Sequence, residues 1–82
     1  MRILIVEDDP VLRNGLQVGL GLRGFVAESA ADLDEARAAL AAAAFSVVVL
    51  DWMLPDGSGL DLLPQIRACA PSPPVILLTA RD

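Results

Sequence analysis

Acidic side chains directly follow two of the most apolar segments of the chain. Glu7, Asp8 and Asp9 come after the apolar residues 3–6, and Asp51 comes after residues 47–50. If these runs are neighbouring strands, their carboxylates meet at one edge of a sheet. An unscreened pair about 4 Å apart repels by about 4 kcal/mol at an effective dielectric constant of 20. A divalent cation or a raised pKa would relieve this repulsion, and oxygen ligands with room for water favour magnesium.

Asp51 is the best placed of these acids to act as a nucleophile. It stands singly at its predicted strand end, whereas Glu7 and Asp8 form a pair suited to holding a cation directly or through water. A carboxylate beside magnesium can attack phosphorus and form an acyl phosphate. Thr79, at the end of another apolar run, could donate its hydroxyl to a phosphate oxygen. The Pro-Asp-Gly sequence at residues 55–57 predicts a turn that leaves loop carbonyls free to bind metal.

Four apolar segments predict the strands that must position these groups. They are residues 3–6, 47–50 and 75–78, with a weaker candidate at 25–27. Short unbroken apolar runs are typical of strands that are buried on both faces of a parallel sheet. Helical patterns lie between the runs, which predicts the order β-α-β-α-β-α-β with right-handed crossovers. In such a sheet the functional crevice lies beyond the carboxyl ends of the strands.

Helix start signals support this order. Asp9 can cap a first helix, and Asp32 followed by Glu35 resembles a capping box for a second helix. Ser58 is a candidate cap for a third helix, but Pro64 would lie past its first turn. We therefore expect a late start or a kink in the third helix.

The composition indicates one small acidic domain. The chain has 82 residues, 55% of them hydrophobic, and a net charge of -5. Because phosphate backbones need a basic surface, we expect no direct DNA binding by this segment. Residues 38–50, the longest nearly uncharged stretch, are too few and too weakly apolar to cross a bilayer, and the amino terminus lacks a secretory signal. We expect a cytoplasmic protein with no membrane partner.

Three motifs together resemble the receiver domains of two-component response regulators. They are Ile-Leu-Ile-Val-Glu-Asp-Asp at 3–9, Leu-Asp-Trp-Met-Leu-Pro-Asp-Gly-Ser-Gly at 50–59 and Leu-Leu-Thr-Ala-Arg at 77–81. The resemblance covers the whole chain, and the last two motifs are most similar to the branch that is fused to a winged-helix DNA-binding domain. It implies a doubly wound, flavodoxin-like α/β fold with strand order 2-1-3-4. Residues 1–82 would then form a partial receiver domain that lacks the fifth strand.

The resemblance implies Asp51 as the phosphoacceptor and Mg²⁺ as the cofactor. Asp8, Asp51 and the backbone carbonyl of Met53 would bind the ion directly, and Glu7 would act mostly through water. Thr79 would be the switch hydroxyl that moves toward the phosphorylated aspartate and alters dimerisation or output. The phosphoryl donor would be a phosphohistidine on a sensor histidine kinase. Control of transcription would pass through a DNA-binding domain outside this chain.

The chain departs from the family pattern at its carboxyl end. The family continues through a fourth helix, a fifth strand that ends in a lysine, and a fifth helix, whereas this sequence stops at Asp82 and contains no lysine. Loss of that cation should weaken phosphate binding. The strand at 75–78 would lie on an open edge with uncovered apolar surface. We therefore expect self-association as a homodimer or a domain-swapped assembly.

Other functional classes stay open beside this one. A degenerate receiver could act only as a protein-interaction module, and each acid taken singly could be a solvated loop residue. A haloacid-dehalogenase-type phosphatase would need two aspartates at the spacing of Glu7 and Asp9, so the glutamate disfavours it and we expect a signalling protein and not an enzyme. Residues 19–24 match a dinucleotide-binding glycine pattern, but they follow a helix and precede a strand. We interpret them as a helix stop.

Overall fold

The computed structural model describes residues 1–78 of the chain. Its elements follow in the order β1 Arg2–Val6, α1 Pro10–Leu22, β2 Val26–Ala30, α2 Leu33–Ala42, β3 Val47–Asp51, β4 Met53–Leu54, β5 Gly57–Ser58, a 3₁₀ helix Gly59–Leu62, α3 Leu63–Arg67 and β6 Val75–Leu78. The predicted strands and helices are all present, and β2 extends three residues beyond the predicted segment 25–27. The sequence pattern does not predict the short strands β4 and β5.

Four strands form one parallel sheet in the order β2-β1-β3-β6, which is the order that the family resemblance implies. The register pairs Val6 with Leu50 and Asp51 with Leu78. Because all four strands run in the same direction, their carboxyl ends lie at one edge of the sheet. The residue after Val6, which is Glu7, therefore comes to lie beside Asp51.

The main hydrophobic core lies between one face of this sheet and the helices α2 and α3. It contains alternate residues of β1 and β3 and apolar residues of the helices, namely Leu4, Val6, Val48, Leu50, Leu33, Ala36, Leu40, Leu62 and Ile66. Alternation arises because successive side chains of a strand point to opposite faces. The last residues of β1 and β3 before the acids are thus fixed by close packing.

The opposite face of the sheet is covered less completely. Helix α1 packs against β1 and β2, but none of its residues is fully buried. Val11 and Leu22 of this helix are 81% and 84% exposed. Strand β6 is outermost in the sheet of residues 1–78, and its Ile76 and Leu77 are also exposed. The fold therefore presents apolar surface on α1 and on β6.

The helix ends agree with the predicted signals. The Asp9 carboxylate accepts hydrogen bonds from two backbone N–H groups at the start of α1, and Asp32 accepts one from the backbone of Glu35. Residues 19–24 end α1 as expected, with Gly24 in a left-handed conformation at φ +90°. Ser58 caps the 3₁₀ helix and α3 begins only at Leu63, which confirms the predicted late start.

The longest helix in the described residues is α1, with 13 residues. No helix between residues 1 and 78 combines the length and the apolar character needed to cross a membrane.

The core assignment predicts that substitutions at two helical positions lower the free energy of unfolding by very different amounts. Leu62 is 0% exposed, so Leu62→Ala should lower the free energy of unfolding by about 2–5 kcal/mol through lost burial and a residual cavity. Val11→Ala, at an exposed position, should change it by less than about 0.5 kcal/mol. Urea unfolding followed by circular dichroism measures both values. Similar losses in the two variants would contradict the assignment.

Candidate functional site

Three carboxylates meet at the carboxyl ends of β1 and β3. Glu7 and Asp8 directly follow β1, and Asp51 is the last residue of β3. One oxygen from each carboxylate lies within 4.8 Å of the others. Glu7 and Asp51 are only 3% and 5% exposed, whereas Asp8 is exposed. The structure thus brings together the acids that the sequence places after neighbouring strands, while Asp9 is engaged in capping α1.

One oxygen of Asp51 has an unusual environment. Its Oδ2 atom is buried and has no hydrogen-bond partner within the described part of the chain. A buried carboxylate oxygen without a donor is unfavourable, because it has lost its hydration without replacement. The carboxylates of Glu7 and Asp8 face the same space and donate nothing when ionised. A cation or a further hydrogen-bond donor would satisfy this oxygen.

The charge state of Glu7 reflects this crowding. Burial raises the pKa of the Glu7 carboxyl above its ordinary value of 4.5, and the charges of Asp51 and Asp8 act in the same direction. The backbone N–H of Asp9 donates to Glu7 Oε2 at 2.9 Å and partly offsets the rise in pKa. Because the folded chain binds this proton more tightly than the unfolded chain, the contribution to stability is complete below pH 4.5. It is lost as the pH rises through the raised pKa.

A divalent cation fits this donor set. All of the groups that converge here are oxygen donors. Hard cations such as Mg²⁺ and Ca²⁺ prefer oxygen ligands to softer nitrogen and sulfur ligands. A cation among these carboxylates would relieve their mutual repulsion and give the buried Asp51 oxygen a partner. The exposure of Asp8 leaves room for water ligands.

Gly59 fixes the backbone at the end of β3. Its N–H donates to the carbonyl of Trp52 at 2.6 Å. A Cβ atom at Gly59 would overlap the carbonyl oxygen of Asp51. Close approach of the 3₁₀ helix to β3 therefore requires glycine at this position.

A short hairpin follows Asp51. β4 and β5 pair in antiparallel fashion, Met53 with Ser58 and Leu54 with Gly57, around the turn that the Pro-Asp-Gly sequence predicts. The side chains of Trp52 and Met53 are 46% and 61% exposed.

Two polar residues that the sequence does not single out support the site. The Arg13 guanidinium on α1 donates to the carbonyls of Glu7 at 2.9 Å and Asp8 at 3.2 Å, and so holds the loop that carries both acids. Its place one turn after the Asp9 cap is a signal that could have indicated this contact. The Asp56 carboxylate accepts from backbone N–H groups of α2. No sequence signal predicts this contact, because it joins residues more than twenty positions apart.

The predicted switch hydroxyl, Thr79, lies outside the described residues. The strand that precedes it, β6, pairs Leu78 with Asp51. The role of Thr79 as the switch hydroxyl stays a prediction.

Comparison with known proteins gives a consistent result. A family model described as the response regulator receiver domain matches residues 3–82. The chain is 46% identical over 82 residues to the transcriptional regulatory protein QseB of Haemophilus influenzae. The alignment covers 100% of this chain and 37% of that protein. The chain therefore spans little more than a third of the length of this curated relative.

Solved structures agree in fold. The response regulator TrrA of Thermotoga maritima, in complex with Mg²⁺-BeF, superimposes with a TM-score of 0.87 at 33% identity, covering 99% of this chain and 70% of that one. A response regulator of Burkholderia pseudomallei with a phosphorylated aspartic acid, a calcium ion and citrate has a TM-score of 0.87 at 29% identity, covering 99% of this chain and 48% of that one.

The role of Gly59 predicts opposite effects of one substitution at two glycines. Gly59→Ala should lower the free energy of unfolding by about 1–3 kcal/mol or more, because the new methyl overlaps the Asp51 carbonyl. Gly15→Ala, in α1 with no heavy atom within 4 Å of the added Cβ, should raise it by about 0.5–1 kcal/mol. Denaturant unfolding measures both changes. A neutral Gly59→Ala variant would show that the 3₁₀ helix does not pack as described.

Proposed function

This chain belongs to the response regulator receiver domain family of two-component signalling, and from that premise we propose that Asp51 is the residue that accepts a phosphoryl group. The observation that carries the proposal is the buried Asp51 Oδ2 atom, which has no hydrogen-bond partner among residues 1–78. An oxygen without a donor is available to bind a cation or phosphorus. Asp51 also stands at the strand end where the acids converge, as expected for a site beyond the carboxyl ends of a parallel sheet.

Mg²⁺ is the cofactor in this proposal. Asp8, Asp51 and the backbone carbonyl of Met53 bind the ion directly, and Glu7 acts mostly through water. The outer role suits Glu7 because its Oε2 atom already accepts a hydrogen bond from Asp9. When bound, Mg²⁺ offsets the negative charge that builds on the transferring phosphoryl oxygens. The Mg²⁺-BeF complex of TrrA supports this choice of ion.

The proposed reaction is phosphoryl transfer from a phosphohistidine of a sensor histidine kinase. A carboxylate oxygen of Asp51 forms a bond to phosphorus while the P–N bond of the donor breaks, and the leaving imidazole takes up a proton. This sequence contains no histidine, so the donor group lies outside it. The phosphorylated aspartic acid in the Burkholderia regulator supports an acyl phosphate as the product.

Phosphorylation would then change the interactions of the domain. In this proposal the hydroxyl of Thr79 moves toward the phosphorylated Asp51 and alters a surface used for dimerisation or output. The relative QseB is a transcriptional regulatory protein, which supports control of transcription through a DNA-binding domain outside this chain. A cytoplasmic location suits the proposed exchange with a kinase.

A second candidate function is self-association without phosphorylation. It is favoured by one observation, the exposed apolar residues of β6, which is one of the two edge strands of the described sheet. Ile76 pairs with Val49 and Leu77 with Leu50, so the two opposite faces of this strand both carry apolar side chains. A second copy of the chain, as a homodimer or by exchange of elements, would cover this surface.

Phosphorylation is tested by intact mass after incubation with Mg²⁺ and acetyl phosphate. The parent chain should gain the mass of one phosphoryl group, and chelation of Mg²⁺ should abolish the gain. Asp51→Asn should gain nothing, because an amide oxygen is a poor nucleophile. Asp34→Asn, which removes an exposed acid of α2, should react like the parent. A product on Asp51→Asn would refute the assignment of the acceptor, and no product on the parent would favour the second candidate function.

Self-association is tested by sedimentation velocity over a range of concentrations. The parent should show a concentration-dependent mass above that of a monomer. Ile76→Lys should shift the distribution toward monomer, because an unpaired charge is costly in an apolar interface. Val18→Lys is a matched control on α1, since Val18 is 53% and Ile76 54% exposed. A sharp monomer at high concentration in the parent would exclude association through β6.

A further inference from the structure

The hairpin that follows Asp51 is bonded to the beginning of α2. The Asp56 carboxylate at the hairpin turn accepts from the backbone N–H of Leu33 at 2.9 Å and of Asp34 at 3.2 Å. The next N–H of the helix, that of Glu35, is taken by Asp32 at 2.8 Å. Two of the first three donors of α2 are therefore satisfied by a residue of the hairpin and not by the local capping residue.

The same hairpin contains Met53, whose carbonyl is a proposed metal ligand. Met53 pairs with Ser58, and Leu54 is buried. At the hairpin base, Gly59 N–H donates to the Trp52 carbonyl. At its far side, a Cβ atom on Gly57 would lie 2.8 Å from Leu33 Cδ1, so the hairpin packs directly on the first residue of α2. The hairpin is thus held at its base by Gly59 and at its turn by Asp56.

The charge on Asp56 favours this contact. The hydrogen bond from Leu33 lowers the pKa of the Asp56 carboxyl below its ordinary value of 3.8, partial desolvation opposes this, and the bond from Asp34 lowers it further. The carboxylate also lies at the positive end of the α2 dipole. The contribution to stability is therefore present above pH 3.8 and is lost as the pH falls through the lowered pKa.

We propose that Asp56 is a positioning residue which, by tying the hairpin to α2, holds the Met53 backbone in place for the cation and couples cation binding to the start of α2. This inference rests on the proposed function of the site. The hairpin would contact Mg²⁺ through the Met53 carbonyl, and it contacts two backbone amides of α2 through Asp56. Because such coupling is reciprocal, Mg²⁺ should stabilise the start of α2 by the same factor by which Asp56 strengthens Mg²⁺ binding.

A capping role alone would have different consequences. If Asp56 only capped α2, its loss would lower the stability of the chain and leave the affinity of the folded protein for Mg²⁺ unchanged. A positioning role changes the affinity itself under conditions where the protein stays folded. Mg²⁺ titration of folded protein therefore separates the two roles, with thermal unfolding as the check on folding.

The test compares Asp56→Asn with Asp34→Asn. Both remove one exposed negative charge at the same helix end, but only the first replaces one of the two side-chain oxygens that accept from the backbone amides of α2 by a donor NH₂ group. Trp52 is the single tryptophan of the chain and adjoins Asp51, so we expect its fluorescence to change when Mg²⁺ binds. Asp56→Asn should raise the Mg²⁺ dissociation constant about three- to tenfold, less than the 10- to 100-fold typical of groups bonded to a ligand side chain. Asp34→Asn should stay within about twofold of the parent.

Hydrogen exchange gives the reciprocal measurement. In the parent and in Asp34→Asn, saturating Mg²⁺ should slow amide exchange at residues 33 and 34 about three- to tenfold, whereas Asp56→Asn should show no such slowing. Asp56→Glu, which keeps the carboxylate, should recover part of the Mg²⁺ affinity and would carry the test if the asparagine variant did not fold.

The outcomes separate this inference from the function on which it rests. A parental Mg²⁺ affinity in Asp56→Asn, with or without lower thermal stability, would reduce Asp56 to a helix cap and overturn the inference while leaving the phosphoacceptor proposal intact. No Mg²⁺ response in the parent would overturn the metal site itself, and this inference with it.

Discussion

Glu7, Asp8 and Asp51 repel one another at the end of the sheet. At 4.8 Å, the limit of separation of their oxygens, each ionised pair costs about 3.5 kcal/mol at an effective dielectric constant of 20, before screening by salt. Packing just below the acids opposes this repulsion, because Val6 and Leu50 are fully buried and paired across β1 and β3. The sheet thus holds together charges that would separate in an unfolded chain, and a cation bound among them would relieve the repulsion.

Support for this arrangement comes from elements that carry none of the three acids. Arg13 on α1 bonds the carbonyls of the Glu7–Asp8 loop, and Gly59 of the 3₁₀ helix packs against the Asp51 carbonyl. Asp56 joins the intervening hairpin to α2. Each of these contacts fixes backbone near the site and engages no carboxylate oxygen of Glu7, Asp8 or Asp51.

The two faces of the sheet are covered by helices to different extents. Helices α2 and α3 close a continuous core over one face, whereas α1 lies on the other face without a fully buried residue. β6, the strand that flanks Asp51 on its outer side, carries the exposed Ile76 and Leu77. Covering β6 would therefore remove apolar surface from water next to the proposed acceptor, which links association to the environment of the site.

The sequence by itself determined the four strands of the parallel sheet and the helices between them, the strand order through the family resemblance, and the acids at the sheet edge. Apolar runs, caps such as Asp9 and Ser58, and the residue after each strand are local signals that need no knowledge of distant contacts. Only the tertiary structure decided three features. They are the burial of Glu7, the exposure of apolar residues on α1, and the β4–β5 hairpin, whose Asp56 carboxylate accepts hydrogen bonds from α2. These features depend on register and packing between residues far apart in the chain, and several residue types could have filled the same positions without changing the local pattern.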